Sequence, residues 1–183
     1  IINSTQQLNL KELFRSRILN AYKLRKTFYP SRESFRLVFS ESDFLPGLII
    51  DKYNNTFVLQ VYSFGMVKNI QLIVEILQEE LNAKNIFTLN EEHFRQIEGL
   101  PVEDKIYVGQ IVDEVIEDDS IKYKIDFVKG QKTGFYFDQS DNRLFIEKIC
   151  SDKTVIDAFC NSGGFGLHAA IAGAKEITFL DSS

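Results

Sequence analysis

Cysteine and histidine are scarce in this chain: Cys150 and Cys160, His93 and His168, among 183 residues. No metal-ligand spacing links the four, so neither a zinc site nor a structural disulfide is expected. Long apolar runs are missing too, and none approaches the roughly 20 residues that a spanning helix needs. The opening IINSTQQLNLKELF has neither the basic region nor the apolar stretch of a secretory leader. A cytoplasmic protein without a membrane segment is therefore expected. Positive charge is not in excess: the formal net charge is -5 and the pI about 5.1. Affinity for nucleic acid would have to come from a local patch.

What the chain does have is 44% hydrophobic residues, enough for one good core or for a small domain plus part of another. Asn9 followed by Glu12 forms a capping box, and Leu10, Phe14, Ile18, Ala21 and Leu24 recur at helical spacing, predicting a helix over 10–27. Its other face carries Lys11, Arg15, Arg17, Lys23, Arg25 and Lys26. The period then shortens to that of strands in SFRLVFS, GLIIDKY and TFVLQVY, the last two joined by Asn54-Asn55 as a hairpin. Met66, Ile70, Ile73, Leu77 and Leu81 predict an amphipathic helix, followed by the short strand NIFTL. The stretch 91–109 is charged and reads as irregular. QIVDEVI and IKYKIDF read as strands around an acidic hairpin tip over 113–119, and the alternation of Ile121, Tyr123, Ile125 and Phe127 with polar residues marks a half-buried antiparallel strand.

Beyond Lys129 the grammar becomes strand–helix–strand. GQKTGFYFDQSDNR leads into a helix over about 141–150, TVIDAF is a strand, FGLHAAIAG a helix and EITFLD another strand. Gly164, Gly166 and Ala169 satisfy the dinucleotide pattern G-x-G-x-x-G/A, with Asp181 near the offset of a ribose-binding acid. Asp157 at the end of the first strand argues the other way. A carboxylate there repels a pyrophosphate and attracts a ligand carrying an ammonium and a sulfonium, such as S-adenosylmethionine (SAM). The bland alternative is that Asp157 caps the turn and the glycines merely form it.

Three blocks together, FRLVFSESDFLPGLIIDKY, GQKTGFYFDQSDNR and VIDAFCNSGGFGLHAAIAGAKEITFLDSS, resemble the large-subunit ribosomal RNA cytosine-5 methyltransferases of the class I, SAM-dependent type. The resemblance implies a fold class of mixed α/β: a central α+β domain on the RNA side over 1–129, then the opening of a Rossmann-like methyltransferase domain over 130–183. It assigns Lys132, Thr133, Phe135 and Gln139, with Asp157, Phe159, Gly163, Gly164 and Phe165, to the cofactor pocket, and Asp181 to the ribose. Asn161, Ser162 and Ser140 depart from the residues usual in that family. SAM is the implied cofactor and ribosomal RNA the implied partner; from the residues themselves, the basic face of the first helix, with Arg15, Arg17 and Lys23, offers contacts to RNA phosphates or is an ordinary solvated face.

The chemistry implied is formation of 5-methylcytosine, which needs a thiolate to add at carbon 6 before carbon 5 can be methylated. Cys150 and Cys160 are poorly placed for that, and His168 has no carboxylate partner near it in sequence. No catalytic residue is therefore assigned within this chain. It is expected to be inactive alone, the catalytic part lying downstream, and to pair with a second copy through an uncovered sheet edge. Two other classes remain open from the residues: a nicotinamide-dependent oxidoreductase using the glycine turn, and a non-catalytic RNA-binding module.

Overall fold

A computed structural model describes residues 9–128 and 133–182. The chain divides into two compact units. The first runs to Ile116 and takes in Lys124–Phe135, and the second comprises Glu117–Tyr123 and the chain from Tyr136 onward.

The first unit opens on α1 (Leu10–Phe28), where the Asn9 side chain accepts the Glu12 N–H at 3.2 Å and so satisfies an amide left over at the helix start. A five-stranded sheet follows in the order β1-β2-β3-β4-β5, made of β1 (Phe35–Phe39), β2 (Leu48–Tyr53), β3 (Thr56–Val61), β4 (Asn85–Thr88) and β5 (Ile106–Val108). The β2–β3 hairpin turns at Asn54, whose φ of 51° is one that asparagine tolerates. Within this sheet, among the described residues, β3 and β4 alone pair in parallel, and the crossover between them carries α2 (Phe64–Lys68) and α3 (Ile70–Leu81). The single helix expected here is thus two, parted at Asn69, whose side-chain amide donates to the Gly65 carbonyl at 2.8 Å.

Phe14, Ile18 and Ala21 of α1 join Ile73, Val74, Ile76 and Leu77 of α3 in one core with Leu37, Leu48, Ile50 and Leu59 of the sheet. Tyr53, Phe127 and Phe87 make a second packed group, with ring centroids 5.0 and 5.3 Å apart in edge-on geometry. The stretch expected to be irregular holds both α4 (Glu92–Ile97) and β5. Each is too short for periodicity to reveal against its charged residues.

The hairpin of β6 (Glu114–Asp118) and β7 (Ile121–Ile125) is where the division between the units runs. In β7 Tyr123 and Ile125 are buried while Lys122 and Lys124 are exposed, the alternation read from the sequence. The second unit continues with α5 (Ser140–Glu147), β8 (Thr154–Ala158), α6 (Gly164–Ile171) and β9 (Glu176–Leu180). Strands β8 and β9 pair in parallel, with Asp157 opposite Phe179. The helix expected to reach Cys150 stops at Glu147.

Candidate functional site: the glycine turn of the second unit

Strand β8 delivers Asp157 as its next-to-last residue, 7% exposed. Its Oδ2 accepts the Gly166 N–H at 2.8 Å. Gly166 lies in the first turn of α6, where amides have no partner within the helix and the helix dipole presents positive charge. A buried carboxylate therefore sits where a phosphate would otherwise draw its hydrogen bonds. The bland reading of Asp157 as a cap and the electrostatic reading are one geometry: the cap itself makes this end of the helix hostile to a pyrophosphate.

Between β8 and α6 the backbone is left-handed at every second residue, with φ of 59° at Phe159, 47° at Asn161 and 73° at Gly163. For a bulky residue such as Phe159 this is a costly conformation, and its side chain is turned outward, 89% exposed. The turn is tied across to β9. Cys160 donates its N–H to the Leu180 carbonyl at 3.2 Å, and Asn161 donates its N–H to Asp181 Oδ2 at 2.6 Å. Asp157, Phe159 and Asp181 thus stand at the C-terminal ends of two adjacent parallel strands, the end at which open α/β sheets bind ligands.

The glycines have causes inside the protein. A Cβ on Gly166 would lie 2.2 Å from the Phe179 ring, and one on Gly164 would lie 2.6 Å from Arg143 Nε. Neither contact is possible, so these two glycines let Phe179 and Arg143 pack against the helix start. Phe165 is partly buried. Gln139, in the same unit, donates to Asp138 and accepts from Asn142, each at 3.0 Å.

Thr133 and Phe135 belong to the first unit. Thr133 is buried, its hydroxyl donating to Asp51 Oδ2 at 2.5 Å and its carbonyl accepting from the Tyr53 hydroxyl at 2.9 Å. Asp51 is fully buried and also receives Arg36 in a two-pronged pair at 2.8 and 3.0 Å. Lys132 lies outside the described residues. On α1, Arg15 pairs with Glu80 at 2.6 Å and Arg17 donates to the Phe44 carbonyl, while Lys23 is exposed. Lys11 bridges Glu75 and Glu79 at 3.2 and 3.0 Å. Acidic residues of α3 thus answer part of the basic face.

Sequence reasoning missed two polar pairs. His168, fully buried, has its Nδ1 2.5 Å from Glu147 Oε1, so the carboxylate absent near it in sequence is supplied by α5. Arg143 pairs with Asp118 at 2.9 Å, both almost fully buried. Separations of 21 and 25 residues left no local signal. Among the described residues no helix is long and apolar enough to cross a membrane, and no group of three or more His, Cys, Asp or Glu side chains could hold a metal. Cys150 and Cys160 are both free thiols.

No family model matches the chain. It is 37% identical over 177 residues to the ribosomal RNA large subunit methyltransferase I of Shewanella amazonensis, covering 94% of this chain and 45% of that protein. The Vibrio parahaemolyticus protein of the same name is 38% identical over 177 residues, with the same two coverages. In each case the chain spans less than half the length of the curated relative it matches. Among solved structures, a methyltransferase crystallised with SAH aligns at a TM-score of 0.80 and 21% identity, covering 97% of this chain and 46% of its own. A SAM-dependent methyltransferase from Streptococcus mutans aligns at 0.79 and 22%, covering 97% and 47%. Both share the fold of this chain, mixed α/β and Rossmann-like.

Proposed function

We propose that the turn between β8 and α6 binds S-adenosylmethionine, and that the chain is the cofactor-binding part of a methyltransferase acting on large-subunit ribosomal RNA. The observation that carries this is the Asp157 carboxylate bonded to the Gly166 amide at 2.8 Å. It holds negative charge at the helix start, which disfavours the pyrophosphate of a nicotinamide dinucleotide and favours a ligand bearing an ammonium and a sulfonium. Asp181, exposed at the end of β9, is assigned to the ribose hydroxyls. Phe159 offers an outward aromatic face, and Gly163, Gly164 and Phe165 supply the backbone beneath the ligand. Gln139 is kept in this site. Thr133 and Phe135 are buried, and for them we propose a role in holding the chain rather than direct contact through their side chains. The names carried by the relatives support both the reaction class and the RNA substrate.

The finer proposal is that the product is 5-methylcytosine. Forming it would need a thiolate to add at cytosine carbon 6 so that carbon 5 becomes nucleophilic; SAM, when bound, would supply the methyl group, and loss of the carbon 5 proton would release the thiolate. Cys150 is buried, and Cys160 is built into the cofactor turn. Neither is assigned as that nucleophile, so the chain alone is expected not to turn over. RNA contact through α1 falls chiefly to Lys23, since Arg15 is engaged with Glu80 and Arg17 with the Phe44 carbonyl. Calorimetric titration of this chain with SAM and, separately, with NAD tests the cofactor assignment. Heat of binding for SAM alone is expected; saturable binding of NAD in its place would reject it.

A further inference from the structure

The acidic run that reads as a hairpin tip contains a fully committed side chain. Asp118, at the end of β6, is 2% exposed, and its Oδ2 accepts from Ser140 Oγ at 3.1 Å and from Arg143 Nη1 at 2.9 Å. Arg143 is 4% exposed and spends Nη2 on the Tyr136 carbonyl at 2.8 Å. Its stem lies across the start of α6, so that a Cβ on Gly164 would fall 2.6 Å from Nε and 3.1 Å from Cδ. All these residues belong to the second unit, including the hairpin segment Glu117–Tyr123 that precedes the rest of it by more than a dozen positions.

A buried guanidinium held at two points is a rigid object. Its planar fork fixes both bonds at once, which a lysine ammonium cannot do. The backbone of Gly164 rests against that object, and Gly164 immediately follows Gly163, the left-handed residue that closes the turn.

We propose that Arg143, held by Asp118, is a positioning residue for the cofactor: it sets where the Gly163–Gly164 backbone lies and so how closely the ligand approaches. This rests on the reading of the turn as the SAM site. Arg143 touches no ligand in this account and acts only through Gly164.

The test uses this chain with SAH as the probe, at a temperature where circular dichroism finds every variant folded. Arg143→Lys keeps the charge and loses the fork, and is expected to weaken SAH binding about tenfold, the scale of one charge-assisted hydrogen bond. Ser140→Ala leaves the ion pair intact and removes one bond to Asp118; a smaller rise in Kd is expected, and this variant serves if Arg143→Lys does not fold. Gly164→Ala is expected to abolish most binding. In the Arg143→Met, Asp118→Asn background, which removes both charges together, the same Gly164→Ala change should cost much less. That coupling shows that Gly164 and Arg143 act on SAH binding through their contact, and the loss of affinity in folded Arg143→Lys is the readout that a purely structural ion pair would not move. Parent-level SAH affinity in folded Arg143→Lys and Ser140→Ala, or an equal cost of Gly164→Ala in both backgrounds, overturns the positioning role while leaving the cofactor site standing. Failure of the parent chain to bind SAH rejects the cofactor reading itself.

Discussion

The two units bury their strands very differently. In the first, every residue of β3 is buried and β2 has only one that is not. In the second, Ile156 is 66% exposed, Phe179 45% and Leu180 52%, although β8 and β9 are as apolar in sequence. Buried polar contacts occur in both: Asp51 with Arg36 and Thr133 in the first, and in the second Asp118 with Arg143 and Ser140, Asp157 with Gly166, and His168 with Glu147. In the first unit the strands are covered by the unit's own helices, whereas in the second β8 and β9 show apolar side chains at the surface of the chain. The polar contacts of the second unit gather around the turn proposed to bind the cofactor.

The sharpest break in that comparison would come from Arg143→Met. Removing one partner of a buried pair leaves the other charge uncompensated, at a cost of about 3–5 kcal/mol. Urea denaturation should show that loss in the transition of the second unit, and Asp118→Asn added to it should recover a large part. If the single variant is as stable as the parent, the polar contacts are not what hold this unit.

Next in size is a matched pair of apolar truncations. Leu59→Ala, in the fully buried β3, should cost roughly 2–5 kcal/mol through lost burial and the cavity left behind. Ile156→Ala, on the exposed face of β8, should stay within about 0.5 kcal/mol. Equal losses at the two sites would mean that the β8 face is covered in solution.

Asp181→Ala should weaken SAM binding by about tenfold, since hydrogen bonds to a charged group are worth about 1.5–3 kcal/mol. It should leave the first unit's denaturation unchanged. Unaltered affinity by calorimetry would remove Asp181 from the site.

The smallest effect expected is one that the two units share. Burial pushes the Tyr62 phenol in the first unit and the Tyr123 phenol in the second up to about 12 from an ordinary 10.0. A folded-state pKa above the unfolded one means that the stability from these protonated phenols is fully present below pH 10.0 and is lost as pH rises towards about 12. An ultraviolet absorbance titration should show part of the seven tyrosines ionising late. A single step near the ordinary value for all of them would contradict the burial described.

Legibility in the sequence followed the range of the signal, not the unit. Helix α1, the Asn54 hairpin, the half-buried β7 and the β8–α6–β9 unit were all readable, because periodicity and turn residues are local signals. Strand β5 and helix α4 were not, being short and set among charges. At the turn proposed to bind the cofactor, Asp157, Asp181 and the glycines stand out in the sequence by position alone. Arg143 could not, because its meaning depends on Asp118, 25 residues away. The reason for Gly166 depends on Phe179, which only the parallel pairing of β8 with β9 brings over the turn.

The central claim is that the β8–α6 turn takes SAM, and amide resonances of the isotope-labelled chain titrated with SAH test it most directly. Shifts are expected to concentrate at Asn161, Gly163, Gly164, Phe165 and Asp181, with no comparable response to NAD. Shifts that avoid these residues, or an equal response to NAD, would contradict it.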